Sequence, residues 1–310
     1  MSAANDNTAT GTTATAEAGV PYVGRFAPSP SGALHLGSLT TAAASFLDAR
    51  HCGGRWLLRI EDLDTPRVVP GAADAMIRTL EALGFDWDGP VTYQSRRHAL
   101  YRQALEELAR RREVYSCSCS RHDRGGTDDA GGYAGTCREG PTRPGPVATR
   151  FRADLNPVAD LQDRLLGQCG PARAAAGDPI LCRRDGLYAY QLAVVVDDAE
   201  QQVSDIVRGA DLLPSTYWQR SLQRALQLAQ PRYAHLPLVC EADGSKLSKS
   251  AHAVDGAMGG RSELVWRLLC LLRQEPPPAL RRAPPAELWS WAVAHWRLEK
   301  LRGLARLNAN

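Results

Sequence analysis

No stretch of this sequence stays apolar long enough to cross a membrane, and no basic-then-apolar leader opens it. Both absences argue against a membrane or secreted protein, and a reducing cytoplasm is the expected compartment. Charge of one sign is missing too. With 37 basic and 34 acidic side chains and a formal charge of +3, the chain is no blanket polycation. Any contact with nucleic acid must therefore come from local clusters. Eight cysteines in 310 residues, only three of them close together, are too sparse for the disulfide framework of a small secreted domain. No internal repeat is visible. Asp62 and Asp64 are not followed by the spacing and closing glutamate of a calcium loop, and the plainer reading of the strand-end carboxylate beside them, Glu61, is a turn cap. What remains is a chain that is 44% hydrophobic, enough for one large domain with an inserted module or for two modest ones, and expected to be monomeric.

The most informative stretch runs from Val23 to Asp48, V-G-R-F-A-P-S-P-S-G-A-L-H-L-G-S-L-T-T-A-A-A-S-F-L-D. It reads as a buried strand (Tyr22 to Phe26), a stiff turn and a helix. Leu36, Leu39, Ala43, Phe46 and Leu47 recur at helical spacing. Pro28 and Pro30 fix the turn, and Gly32 supplies a position without a Cβ. His35, Gly37 and Ser38 then fall at the start of the helix, where unpaired N–H groups and the helix dipole favour an anion such as a phosphate.

Residues 1–19, rich in Ala, Thr, Ser and Gly, are expected to form a disordered leader. In residues 20–113 a second strand, Arg55 to Ile60, ends in Glu61-Asp62-Leu63-Asp64, and helical patterns cover Gly71 to Leu83 and Arg96 to Arg112. Residues 114–184 break this pattern and read as an inserted module with strand-like pieces at Val147 to Arg152 and Ile180 to Arg183. The alternation resumes in 185–250, with strands expected at Gln191 to Val196, Ile206 to Arg208 and Leu236 to Val239 and a helix at Thr216 to Leu228. Residues 251–310 read as a short helical region, Ser262 to Leu272 and Ala286 to Leu298. The fold class is α/β, a Rossmann-like, doubly wound parallel sheet, and its ligand should lie beyond the carboxyl ends of the strands.

Far from the first turn, Gly244-Ser245-Lys246-Leu247-Ser248-Lys249-Ser250 places two lysines three apart in a Gly/Ser loop. A loop like this is ordinarily solvated surface. Paired with H-L-G-S, however, K-L-S-K-S resembles the nucleotide-binding motifs of class I aminoacyl-tRNA synthetases, and R-F-A-P-S-P-S-G narrows the resemblance to the glutamyl/glutaminyl branch. The resemblance spans roughly Tyr22 to Ser250. It implies attack of an amino-acid carboxylate on the α-phosphorus of Mg2+-bound ATP, with His35, Ser38, Lys246 and Lys249 meeting the charge on the phosphate oxygens. His35, Gly37, Ser38 and Lys249 would contact ATP. Ser38 stands where the family often has a histidine, so it offers a hydroxyl without a charge.

A glutamate ligand carries two carboxylates and an ammonium, and its pocket should offer guanidinium forks and one carboxylate. By matching motif positions, the resemblance gives glutamate-binding roles to Arg25, Phe26, Ala27, Pro28, Ser29, Glu61, Tyr190 and Arg208. Of these, Glu61 suits the ammonium. The segment Tyr188 to Asp198 resembles the family's substrate strand. For each position the plainer alternative is a structural ion pair or, for Tyr190, a core aromatic.

Cys117, Cys119 and Cys137 supply three ligands for a tetrahedral zinc, with His122 a possible fourth by general chemistry. The resemblance favours Tyr133, in G-G-Y-A-G-T-C, as the fourth ligand of one structural zinc. Cys52, Cys169, Cys182, Cys240 and Cys270 are scattered and read as small apolar residues. Arg96-Arg97, Arg110-Arg111-Arg112 and Arg281-Arg282 suit either RNA phosphates or solvated helix faces.

About sixty residues follow Ser250, too few for the anticodon-reading domain of a full glutamyl-tRNA synthetase. Size and cysteine pattern are similar to those of the glutamyl-Q tRNA(Asp) synthetase family. That similarity implies tRNA-independent activation of L-glutamate and its transfer to the queuosine base at the wobble position of tRNA(Asp). The alternatives are a discriminating glutamyl-tRNA synthetase that charges a 3′ end and a non-catalytic RNA-binding module.

Overall fold

The computed structural model describes residues 21–120, 133, 135–170, 177–240 and 260–308. The expected leader, His122 and the whole K-L-S-K-S loop with Lys246 and Lys249 lie outside these residues. In chain order the elements are β1 (Val23–Phe26), α1 (Leu36–His51), β2 (Arg55–Ile60), α2 (Ala72–Ala82), β3 (Thr92–Tyr93), α3 (His98–Arg110), β4 (Val114–Cys117) and β5 (Ala148–Phe151). They continue with β6 (Leu161–Asp163), β7 (Gly167–Cys169), β8 (Ile180–Cys182), α4 (Tyr190–Glu200), β9 (Asp205–Gly209), α5 (Leu213–Ala225), β10 (Arg232–Leu236) and β11 (Leu238–Cys240). After the gap come α6 (Arg261–Leu271), α7 (Pro285–His295) and β12 (Arg306–Asn308).

The fold is mixed α/β with parallel sheets. β1, β2 and β3 form one parallel sheet in that order. A second runs β7-β6-β10-β9, parallel except for the β6–β7 hairpin. The two meet where Ser204 N–H donates to Val23 C=O (3.0 Å) and Val23 N–H donates to the Ser204 hydroxyl (2.8 Å). β4, β5 and β8 make a separate antiparallel sheet, although β6, from the same stretch of chain, pairs with β10.

Side chains alternate across a strand, and here the two faces differ in kind. Phe26, Trp56, Leu58, Val207, Ala234 and Leu236 join the core built around α1, α6 and α7. In α1, Leu39, Ala42, Ala43, Ala44, Leu47 and Ala49 have no exposed surface, and burying a leucine of this kind stabilises by about 1.5–3 kcal/mol. The opposite face, with Val23, Leu57, Ile206 and Tyr233 in its apolar cluster, also carries Arg25, Arg59, Arg208 and His235, all buried.

Two expectations need correction. Gln191 to Val196 is not a strand: it lies inside α4, so Tyr188 to Asp198 is no substrate strand either. Leu192, Ala193, Val194 and Val195 are buried between neighbours on several sides, and so short an apolar run has no clear period. Leu236 to Val239 is two strands divided at Pro237, which has no N–H to continue a ladder. β3, β6, β7 and β12, each two or three residues long, gave no sequence signal. Cys52 is exposed at the end of α1 rather than packed in a core.

Candidate active site

One basic residue from each of four strands points to the same side of the sheet, and α4 supplies the carboxylate that meets two of them, Arg25 and Arg59. Asp198 Oδ1 accepts from Arg25 Nε (3.2 Å) and Arg59 Nη2 (2.7 Å). Its neighbour Asp197 accepts from Arg97, Gln94 and Tyr101 at 2.6–2.8 Å. Burial alone would raise the Asp198 carboxyl, but Arg25 and Arg59 outweigh it and hold the group below its ordinary value.

Glu61 follows β2 directly and is less well served. Its Oε1 is buried, lies 3.6 Å from Arg59 Nη2 and makes no hydrogen bond among the described residues. Burial, only partly offset by Arg59 and Arg25, pushes the carboxyl up to about 7. An under-satisfied buried carboxylate is costly for a fold to keep and is suited to receiving a cation.

Arg208 is the converse. It is 3% exposed, and among the described residues it has no carboxylate partner. Nε donates to His235 Nε2 (3.4 Å), Nη2 donates to Thr216 Oγ1 (2.7 Å) and Gln219 Oε1 (2.8 Å), and Nη1 donates to the Tyr190 hydroxyl (3.2 Å). Four of the five guanidinium hydrogens are engaged in this way. The remaining Nη1 hydrogen and the proton of the Tyr190 hydroxyl are two adjacent donors suited to one carboxylate. Tyr233 joins the two groups of residues: its ring lies 5.2 Å under Arg208, and its hydroxyl senses both Arg208 and the Arg25–Asp198 pair.

His35 caps α1 by accepting the Ser38 N–H on Nδ1 (3.3 Å), which leaves the proton of the neutral ring on Nε2. Gly37 makes this possible, since a Cβ there would lie 3.1 Å from the imidazole. Gly32, at φ +141°, turns the chain ahead of the helix. Phe26 stacks on Trp56 in the core, so only its main chain is left for a ligand. Pro28 C=O accepts the Glu61 N–H (2.9 Å), tying the first turn to the end of β2. Val239, in β11, sits next to Gly37, so β11 lies beside the first turn of α1.

At the end of β4, the sulfurs of Cys117, Cys119 and Cys137 lie within 4.8 Å of one another. Tyr133 Oη is 3.4 Å from both Cys117 and Cys119 and accepts the Cys137 N–H (2.8 Å). Burial would raise the Cys137 thiol, but hydrogen bonds from Tyr133 and from the Ser118 and Thr142 main chain hold it at about 5. The donor set fits zinc, whose tetrahedron at Zn–S of about 2.3 Å needs sulfurs roughly 3.8 Å apart.

The catalytic domain family of class I tRNA synthetases (E and Q) matches residues 22–258. A glutamyl-Q tRNA(Asp) synthetase of Ectopseudomonas mendocina is 49% identical over 92% of this chain and 97% of its own. One from Chromobacterium violaceum is 50% identical over 90% and 95%. The chain belongs to the glutamyl-Q tRNA(Asp) synthetase family. It is a ligase of the class I tRNA synthetase type. A solved glutamate tRNA ligase from Elizabethkingia meningosepticum, in complex with its amino acid, superposes with a TM-score of 0.77 at 25% identity, covering 93% of this chain and 67% of that one.

In this synthetase-like chain the structure brings Arg25 and Glu61 together on one side, Arg208 and Tyr190 on the other, and His35, Gly37 and Ser38 at one helix start. Sequence reasoning missed Arg59, Asp198, Asp163, His235, Thr216 and Gln219. A signal was available: V-G-R-F, R-W-L-L-R-I, I-V-R-G and Y-A-H-L each set a basic residue on the face opposite their core residues. Several arginines offered to RNA phosphates are paired within the chain: Arg97 with Asp197 and Glu200, Arg110 and Arg111 with Glu107, and Arg281 with Glu263. Among the described residues no helix is long and apolar enough to cross a membrane.

Proposed function

We propose that this ligase activates L-glutamate with Mg2+-bound ATP, without tRNA, and transfers it to the queuosine base at the wobble position of tRNA(Asp). The observation that carries the glutamate assignment is a complementary pair of defects among the described residues, a buried carboxylate at Glu61 without a hydrogen bond on Oε1 and a buried guanidinium at Arg208 without a carboxylate. A ligand with an ammonium at one end and a carboxylate at the other answers both. Arg25, whose Nε is engaged by Asp198 among the described residues, would hold its α-carboxylate near the first turn, beside Phe26, Ala27, Pro28 and Ser29.

An oxygen of that carboxylate attacks the α-phosphorus, the bond to the β-phosphate breaks, and pyrophosphate leaves. His35 Nε2–H, the Ser38 hydroxyl, Lys246 and Lys249 would meet the developing charge. Lysine is rare here: the chain has three, two of them in K-L-S-K-S, whereas 34 arginines serve elsewhere. A chain that meets nearly every other need for a cation with arginine favours a chemical reason for those two, a compact point charge on a flexible stem. In the second step a hydroxyl of the queuosine cyclopentene ring attacks the mixed anhydride and AMP leaves. The relatives' names support queuosine-bearing tRNA(Asp) as the acceptor. Cys117, Cys119, Tyr133 and Cys137 would hold one structural zinc, which cross-links the end of β4 to the loop after it.

The test has two steps. Glutamate-dependent exchange of pyrophosphate into ATP is expected without tRNA, and labelled glutamate is expected on tRNA(Asp) only when queuosine is present. Label confined to the 3′ end of tRNA(Glu) would replace this reading with that of a discriminating glutamyl-tRNA synthetase.

A further inference from the structure

Asp163, at the end of β6, and His235, in β10, are fully buried beside Arg208, and neither has a part in the reaction described above. Asp163 Oδ1 accepts the N–H groups of Leu165 (2.8 Å) and Leu166 (2.9 Å), and Oδ2 lies 2.7 Å from His235 Nδ1. The His235 main-chain N–H also points at this carboxylate, at 3.2 Å. On its other edge, His235 Nε2 is 2.9 Å from Thr216 Oγ1 and 3.4 Å from Arg208 Nε.

We propose that Asp163 and His235 are positioning residues for glutamate recognition: Asp163 fixes the Nδ1–H tautomer of His235, and the bare Nε2 then dictates which hydrogens of Arg208 face the ligand. The inference rests on the reading that Arg208 takes the side-chain carboxylate of glutamate.

An ionised carboxylate can only accept, so the proton between Asp163 and His235 belongs to Nδ1. Nε2 then keeps a lone pair, and the Thr216 hydroxyl and Arg208 Nε–H supply what it accepts. Burial and the neighbouring Arg208 charge both disfavour the imidazolium, in keeping with this neutral ring. Thr216 and Gln219 hold Nη2, so the guanidinium cannot rotate, and one Nη1 hydrogen remains beside the Tyr190 hydroxyl. The anion that balances Arg208 stands one imidazole ring away, so the nearer place is open to a carboxylate. A glutamine carboxamide would set its own N–H2 against these donors and bring no charge, so the arrangement discriminates against it.

The alternative is purely structural, since the same contacts also help to hold β6 to β10. Four variants of the full chain separate the two: His235→Leu, which removes the acceptor; His235→Gln, which restores one near Nε2; Asp163→Asn; and Arg208→Lys. In tRNA-free pyrophosphate exchange, His235→Leu should raise the glutamate KM by about 10- to 100-fold, the cost of losing a hydrogen bond to a charged group. The KM for ATP and kcat should change little, the preference for glutamate over glutamine should narrow, and His235→Gln should recover most of the loss. In Asp163→Asn the main-chain N–H groups claim Oδ1, and the amide then donates to His235 Nδ1. Nitrogen-15 spectra of labelled histidine should therefore report Nδ1–H at His235 in the native protein and Nε2–H in this variant.

An Nε2–H tautomer or an imidazolium at His235 in the native protein would overturn the proposal. So would His235→Leu and Asp163→Asn variants that lose stability but keep the native glutamate KM and glutamine discrimination. If Arg208→Lys leaves the glutamate KM unchanged, the reading of Arg208 fails, whereas the tautomer measurement still judges the Asp163–His235 contact on its own. Should His235→Leu fail to fold, His235→Gln, Asp163→Asn and the native spectrum decide.

Discussion

On the proposed reading, Glu61 trades stability for recognition. Its carboxyl moves from 4.5 to about 7 because burial outweighs the pull of Arg59 and Arg25, and Asp198 and Asp197 add to the rise. Between those values the folded protein keeps a proton that the unfolded chain has lost. The contribution of Glu61 to stability is therefore fully present below 4.5 and falls as pH rises toward 7. Glu61→Gln should be more stable than the native protein at alkaline pH by roughly 1–3 kcal/mol, measured by urea unfolding, and should lose glutamate binding. A substrate ammonium needs the ionised form, so the native glutamate KM should fall as pH rises through about 7 and then level off. A KM flat across that range would refute the contact. Arg25, His35, Glu61 and Arg208 were legible in the sequence because short motifs carry them. Asp198 and His235 were not, because their importance depends on what α4 and β6 place opposite them.

At the scale of the element, the first turn of α1 unites several jobs. Gly37→Ala would favour the helix by up to about 1 kcal/mol, yet its Cβ would press on the His35 ring. The melting temperature should hold or rise while pyrophosphate exchange drops by one or more orders of magnitude. Normal exchange in this variant would show that the imidazole position is unimportant. The cysteine cluster makes a second prediction: the purified protein should contain one zinc per chain by elemental analysis. Cys137→Ser should lose most of it, and the β4–β5–β8 sheet should become more susceptible to protease. The strand–turn–helix of β1 and α1 could be read from periodicity, as could β2. By contrast α4 could not, because an apolar run enclosed by Tyr101, Phe151, Leu181 and Leu222 has no exposed side to reveal its period.

Across the whole molecule, one face of the sheet carries the buried arginines and His235 beside a smaller apolar cluster, and the other packs into the larger apolar core. This makes Asp198 a weld between β1, β2 and α4. Asp198→Asn would leave Arg25 and Arg59 buried with less than their charge balance, a loss of about 3–5 kcal/mol in global stability. A loss below about 1 kcal/mol by denaturant titration would mean that Glu61 and Asp197 suffice to hold them.

The border between β1 and β9 has a consequence of its own. Among the described residues its hydrogen bonds run through Ser204, to Val23 on both its N–H and C=O and to Pro21 C=O, and the residues assigned to glutamate stand on either bank, Arg25 and Glu61 on one and Tyr190 and Arg208 on the other. A bound amino acid would brace the crossing like a strut between two walls. Amide hydrogen exchange at Ser204 should slow when glutamate alone is added, before any nucleotide arrives. The same brace would give the enzyme a mechanical way to register that its first substrate is in place.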